Sequence, residues 1–327
     1  MTLSYLLRLL CLCFASFFLL NAAAVFAVRA LAGPVLRFSG AKPAALAARL
    51  LLALRLLPFA LAALFVILLC VPSYVRLEPS VASEHVGTAC ILFGILGLLS
   101  WCIAIFRAAR AFCLSHLHQR RFAAAARETR LPDSSSTIVL VVENDRPLLA
   151  LSGLWRPYFL LSRGLLRALS PDELHAALSH EHAHRSSRDN LKRLLLLLAP
   201  DVLPFCNPLL FLEHHWAKFT EWAADDQAAA GNSQRALALA SALLCAARLG
   251  AHPPLPFLAT SLLASGDDLR ARVNRLLQQA PARSPSHLST RPRLLLLGFL
   301  SAGCVAALLA APAALHFIHE LQELLLR

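Results

Sequence analysis

The sequence is short of charge. Only 15% of its 327 residues are Asp, Glu, Lys or Arg, where a soluble domain carries about 25%, and mean hydropathy is +0.61. That deficit excludes a disordered chain and argues against a freely soluble enzyme. Acid is scarcer than base, with 19 Asp and Glu against 31 Lys and Arg and a net charge of +12. Such an excess can mark nucleic-acid binding, but here the bases flank apolar runs in short stretches, as membrane topology signals do. A direct nucleic-acid partner is not expected. The nine cysteines include no CxxC pair, and Cys11, Cys13, Cys70, Cys102 and Cys304 lie inside apolar runs. They read as small buried hydrophobes, which excludes a disulfide framework. There is no internal repeat.

Long apolar runs are what the sequence does have. A helical span needs about 20 apolar residues, and four stretches qualify: Leu3 to Val28, Leu50 to Val71, Thr88 to Phe106 and Leu294 to Phe317. The first also resembles a signal peptide, with small residues at Ala22, Ala23, Ala24 and Ala27. Cleavage there would leave Arg29, Arg37, Lys42 and Arg49 on the translocated side, against the positive-inside rule, so a retained anchor is expected. By the same rule Arg29 to Arg49 is cytoplasmic and the near-neutral loop Pro72 to Gly87 lies outside. Arg107, Arg110, Arg120, Arg121, Arg127 and Arg130 then place the following region inside. The tail from His319 to Arg327 would lie outside and is too short to fold. The spans hold no acid at mid-depth, only Arg8, Asn21 and Arg55 near their ends, which counts against a transporter or channel.

This divides the chain into three N-terminal spans (1–106), a cytoplasmic domain (107–280), a Pro- and Ser-rich linker (281–293) and a last span (294–317). Within the domain, Ala108 to Arg130 reads as a helix leaving the membrane. Thr137 to Val142, Leu148 to Leu151 and Tyr158 to Leu161 read as strands. Ser170-Pro171-Asp172-Glu173 reads as a helix start, with serine at the cap, proline in the first turn and acids following. The apolar stretch Leu191 to Leu212 tempts a fifth span, but Pro200, Asp201, Pro204, Asn207 and Pro208 argue for a buried or membrane-dipping hairpin.

The helix opened at Ser170 carries the chemistry. His180-Glu181-His182-Ala183-His184 contains HExxH, and positions four apart share a helix face, so His180 and His184 can chelate one Zn2+ ion. Glu181 lies alongside, where its carboxylate can act as general base. In a chain of this composition the pattern arises by chance about 0.02 times. A catalytic zinc keeps three protein ligands. Glu221 is the expected third, with Asp225 one turn later to orient a ligand histidine. Glu213, His214 and His215 are rivals. His182 points away from the pair and is left out of the ligand set. The alternative for the whole group is a set of solvated histidines and a charged helix face.

Trp155-Arg156-Pro157-Tyr158 followed by Leu-Ser-Pro-Asp-Glu-Leu-His-Ala-Ala-Leu-Ser-His-Glu-His-Ala-His184 resembles the membrane gluzincin metallopeptidases. Asn207-Pro208, Glu221-Trp-Ala-Ala-Asp225 and Leu269-Arg-Ala-Arg-Val-Asn-Arg-Leu-Leu277 narrow the resemblance to the BlaR/MecR-type antirepressor peptidases, with the HtpX-type quality-control peptidases as a cousin. It covers roughly Thr137 to Leu277 and the spans on either side. It implies a mainly α membrane protein, with about four transmembrane helices around a cytoplasmic α+β zincin-like domain. His180, His184 and Glu221 become zinc ligands, Glu181 the base and Asp225 the orienting acid. The implied substrate is a protein or peptide, with a downstream transcriptional repressor as a possible partner and a bacterial inner membrane as the location. His182 departs from the family, which usually has an aliphatic residue there, and Ala224 stands where cysteine is frequent. The penicillin-binding domain that follows the last span of the well-known sensors has no counterpart before Arg327, so beta-lactam sensing does not carry over.

The expected reaction is peptide hydrolysis by activated water. His252, Arg270 and Arg272 are candidate donors to the developing oxyanion, and the strand Tyr158 to Leu161 is a candidate edge for pairing with an extended substrate. Two other classes remain at this stage. One is a membrane sensor or antirepressor whose zinc is only structural, against which the intact Glu181 stands. The other is a transporter component.

Overall fold

The computed structural model describes residues 5–78, 86–129, 139–154, 157–202, 207–250, 258–261, 266–278 and 312–326. Helix dominates. Among the described residues, three helical segments are long and apolar enough to cross a membrane: Tyr5–Ala30, Ala44–Leu77 and Thr88–Arg121. They coincide with the first three expected spans and make this an integral membrane protein. The first is α1 (Tyr5–Ala30), followed by a short α2 (Ala32–Gly40). The second is α3 (Ala44–Phe65), continued by a π-helical turn (Val66–Cys70) and α4 (Val71–Leu77). The third is α5 (Thr88–Ala125), 38 residues and so about 57 Å long at the usual helical rise. It overshoots a hydrocarbon layer of about 30 Å and carries the chain into the sheet domain.

Close approach of α1 and α5 depends on two glycines. A Cβ at Gly97 would stand 2.3 Å from the Phe14 carbonyl oxygen, and one at Gly94 would stand 2.8 Å from Cys11 Sγ. The neighbouring surface is filled by Phe17, Phe59 and Trp101, with ring centroids 5.4 to 6.3 Å apart. In the absence of a hydrophobic drive between helices in lipid, such small-residue contacts supply the packing. The expected last span at 294–317 and the linker at 281–293 lie mostly or wholly outside the described residues. Only the final helix α12 (Pro312–Leu326) is seen. The residues from His319 onward, expected as a tail too short to fold, are its last turns. The helix docks on α4 through Ser73 Oγ, which donates to the Leu315 carbonyl at 2.8 Å, and on the π-helical turn through Gln322 Nε2, which donates to the Cys70 carbonyl at 3.0 Å.

Five strands form one mixed sheet in the order β1-β2-β4-β3-β5. They are β1 (Ala126–Thr129), β2 (Val139–Val142), β3 (Leu149–Ser152), β4 (Tyr158–Ser162) and β5 (Ala259–Ser261). The helix expected to reach Arg130 stops at Ala125. Its last residues instead form β1, because β2 presents a free edge that Ala126 to Thr129 pairs antiparallel, Ala126 opposite Val142. β4 is interior: β2 runs parallel on one side and β3 antiparallel on the other. Its backbone is therefore spent, and the expected substrate edge at Tyr158 to Leu161 does not exist. One face of the sheet, through Val139, Leu149, Leu151, Phe159 and Leu161, packs on Leu165, Ala176, Ala177, Leu239 and Leu243 of the flanking helices. Those helices are α6 (Arg163–Ala168), α7 (Pro171–Ser187), α10 (Ser233–Arg248) and α11 (Gly266–Gln278).

The described part of the apolar stretch 191–212 falls on α8 (Asp189–Leu198), residues 199–202 and 207–209, and the first turn of α9 (Leu210–Ala229). Leu196, Val202, Leu209 and Leu212 bury against Phe18, Val25, Ala47 and Leu51 of α1 and α3.

Gly97→Ala should force α1 and α5 apart, since the obstacle is backbone. The expected loss is about 1–3 kcal/mol for overpacking, read as a lowered unfolding temperature of the detergent-solubilised protein. Gly33→Ala, with nothing within 4 Å of the new Cβ, should leave it within error.

Candidate metal centre

Three helices deliver the site. α7 begins with a reciprocal capping box: Glu173 Oε2 accepts from the Ser170 backbone N–H at 2.8 Å, and Ser170 Oγ accepts from the Glu173 N–H. With Pro171 in the first turn, this defines the start of the helix and so the phase of its later turns. His180, Glu181 and His184 all face inward with no exposed surface. α9 crosses them and presents Glu221, one turn before Asp225. α11 closes the group with Arg272, 3% exposed.

His180 Nε2 and His184 Nε2 lie 3.1 Å apart. Glu221 Oε2 is 3.4 Å from the first and its Oε1 3.6 Å from the second. Two nitrogens bound tetrahedrally at about 2.0–2.1 Å stand roughly 3.3 Å apart, close to the spacing of the two imidazoles, with one Glu221 oxygen facing each. His180, His184 and Glu221 form the group able to hold a metal ion among the described residues, with ligand atoms within 4.8 Å of one another. The charge count agrees. With both imidazoles neutral, as metal ligands are, the four carboxylates Glu181, Asp189, Glu221 and Asp225 face the two cations Arg272 and Lys192, a deficit that a divalent ion would balance.

The remaining ring nitrogens show how the ligands are aimed. His180 Nδ1 lies 3.0 Å from Asp225 Oδ1, and His184 Nδ1 lies 2.8 Å from Asp189 Oδ2. His184 Nδ1 is hydrogen-bonded to Asp189 and His180 Nδ1 stands at ion-pair distance from Asp225, placements that leave each Nε2 on the Glu221 side. Asp225 holds the place expected of it. Asp189 was not anticipated. It reaches back because Arg188 adopts a left-handed conformation (φ 55) between α7 and α8, folding the chain sharply after the HExxH helix. Only an acid a few residues past the second histidine, at a helix break, could have signalled it. Lys192 Nζ, 2.6 Å from Asp189 Oδ1, neutralises it.

Arg272 grips Asp225 with two parallel bonds, Nε to Oδ2 at 2.9 Å and Nη2 to Oδ1 at 2.7 Å, and its Nη1 is 3.2 Å from Glu221 Oε2. The guanidinium thus holds the carboxylates of α9 in place. Arg270 is exposed on the opposite side of α11 and is not brought to the cluster. His252 lies outside the described residues. The rivals on α9 point elsewhere: Glu213 accepts from Arg55 and Asn207, and His215 Nδ1 bonds the Phe211 carbonyl at 2.8 Å. His182 packs on Phe159, ring centroids 4.7 Å apart, away from the ligands.

Electrostatics follow from burial. Burial pushes the Glu181 carboxyl above its ordinary range, and the nearby His184, His180 and Arg272 only partly offset this. Burial also raises Asp225 and Glu221, but Arg272 with His180 outweighs it for Asp225, and His184 with Arg272 outweighs it for Glu221, so both end low. Burial alone would lower His184. The facing Glu221 and Asp189 reverse that and push it up to about 10. The centre is an anionic cage that demands a cation.

A membrane protein with a buried His–His–Glu centre between crossed helices, joined to a small mixed sheet, has the parts of a membrane-bound metallopeptidase. The family model described as BlaR1 peptidase M56 matches residues 85–276, well over half of the chain, and the chain belongs to that family. The match begins ahead of the resemblant motifs, at the start of the third span. The chain is accordingly a membrane-associated peptidase of the BlaR1 kind. A search of curated proteins finds no match.

Asp189→Ala should weaken metal binding about 10- to 100-fold, the usual cost of removing a partner that orients a ligand, measured by competition with a chromogenic chelator. His182→Ala should leave the affinity unchanged. An unaltered affinity in Asp189→Ala would remove Asp189 from the centre.

Proposed function

We propose that the protein is a zinc-dependent endopeptidase that hydrolyses peptide bonds of a regulatory or membrane protein at the cytoplasmic face of a bacterial inner membrane. The observation that carries this reading is Glu181: a carboxylate with no exposed surface, adjacent to three residues able to hold an ion. A metal kept only for structure needs no buried acid beside it. His180, His184 and Glu221 would hold the zinc. When bound, the ion would supply an acidified water and polarise the scissile carbonyl.

The work of the chain's own residues follows from their placement. Glu181 accepts a proton and returns it to the leaving amine. Asp225 and Asp189 keep the two imidazoles in the tautomer that leaves Nε2 free. Arg272 keeps Asp225 and Glu221 from drifting apart under their mutual repulsion. Cytoplasmic orientation is supported by the basic stretch Arg29 to Arg49 and by the Arg-rich continuation of α5. Family membership supports a protein substrate, for which a transcriptional repressor is one candidate.

Glu181→Gln keeps the shape of the side chain and removes its basicity. It should retain about one zinc per chain while cleavage falls by a factor of at least about 10² to 10⁴, followed as new protein termini in cells expressing each form. His184→Ala should lose nearly all the zinc. If the biological effect survives Glu181→Gln and vanishes in His180→Ala, the zinc is structural and the protein is a sensor.

Orientation has its own check, in a background whose native cysteines are silent. Ser80→Cys should react with a membrane-impermeant thiol reagent in intact cells, and Ser135→Cys only after lysis. Labelling of Ser135→Cys in intact cells would put the centre outside.

A further inference from the structure

α9 belongs to two environments at once. Its later turns bring Glu221 and Asp225 to the centre, while its first turns lie against transmembrane helices α1 and α3, with Leu212 and Trp216 buried there. What holds that first end is polar. Arg55, in the apolar run of α3 and 3% exposed, donates through Nε to Glu213 Oε1 and through Nη2 to Asp201 Oδ1, both at 2.7 Å. The other oxygen of Asp201 takes Arg107 of α5 at 2.5 Å, and Arg107 Nη2 reaches the Leu197 carbonyl at the end of α8. Asn21 of α1 donates to the Pro200 carbonyl at 3.3 Å. Asn207 Nδ2 completes the group on Glu213 Oε1 at 2.9 Å.

Each of the three long membrane helices therefore holds the connection between α8 and α9 by a side chain that its apolar sequence makes conspicuous. That connection joins the two helices whose residues aim the ligands, Asp189 opening α8 and Glu221 on α9. The two guanidinium groups and two carboxylates neutralise one another. Breaking one pairing leaves a buried charge uncompensated, which is far costlier than losing an exposed ion pair. Glu213 and Glu221 are eight residues apart on one helix, about 12 Å along its axis. A helix is stiff lengthwise, so a displacement at Glu213 arrives at Glu221.

We propose that Arg55 is a positioning residue for the metal centre: a transmembrane side chain that sets the place of α9 and thereby of the third ligand. The inference rests on the metallopeptidase reading above. It makes retention of the metal a property of the membrane bundle as well as of the sheet domain.

The test uses full-length protein in detergent, loaded with zinc and challenged with excess chromogenic chelator. Arg55→Met should release zinc roughly 10-fold faster or more, the scale seen when support of a ligand is lost. Arg55→Lys should recover part of the difference, because an ammonium can satisfy one carboxylate but not both. Gly97→Ala supplies the comparison. It forces α1 from α5 while leaving the Arg55–Glu213 pair between α3 and α9 in place, and should lower thermal stability with wild-type release. Should Arg55→Met fail to insert, Glu213→Gln carries the same expectation, since it keeps the shape and removes the charge that Arg55 holds. Wild-type release rates in the inserted Arg55 variants and in Glu213→Gln overturn the proposal, as does equal acceleration in Gly97→Ala. A wild type that retains no zinc overturns the metallopeptidase reading itself, a result readily told apart from the others.

Discussion

The two parallel bonds from Arg272 to Asp225 are the contact on which the centre depends. Asp225 stands 3.0 Å from the His180 ring, yet it lies beside Glu221 with essentially no exposed surface. Two adjacent buried carboxylates repel one another and lose their hydration. A guanidinium that forks onto one and touches the other offsets both costs at once, which a point charge on a flexible stem does less well. Truncating one partner of such a buried pair costs about 3–5 kcal/mol. The contact also ties three helices, since α7 supplies the imidazole, α9 the acids and α11 the base. Arg275, bonded to Asp226 at 2.6 Å and lying over Trp222, repeats the α9–α11 attachment one turn further on.

The same rule governs the membrane half. A basic residue in a span is expensive unless it is paired or reaches the interface, and Arg55 and Arg107 are both paired with Asp201. The consequence is an architecture in which the enzyme domain is not an appendage. α5 runs without interruption from the bilayer into β1, and α9 runs from the bundle to the ligands. A membrane peptidase built this way has its scaffold partly in lipid.

Much of this was legible in the residues. The first three spans follow from length and apolarity, a local property that no later contact reverses. HExxH and the Glu221–Asp225 pair could be read because helical periodicity places residues four apart on one face, whatever else the chain does. The cap at Ser170 could be read because capping involves only neighbours. Asp189 could not, because it joins the centre through a left-handed turn at Arg188 that composition does not announce. Glu213 stood as a rival ligand for the opposite reason. It has the right chemistry near the right place, and only the approach of Arg55, 158 residues away in sequence, takes it out. β4 looked like an available edge because pairing partners are invisible in a single strand.

By itself, then, the sequence determined that this protein lives in a membrane, that it carries a helix with two histidines and an acid in chelating phase, and which acid would join them. These are matters of hydropathy and of a 3.6-residue repeat, both written in nearby residues. Tertiary structure alone decided which ring nitrogens face Glu221, that Arg272 serves the carboxylates of α9, that β4 is spent inside the sheet, and that Arg55 reaches the helix that carries Glu221. Each of those depends on charges and backbone edges brought together from distant parts of the chain, where burial makes an unpaired group too costly to leave.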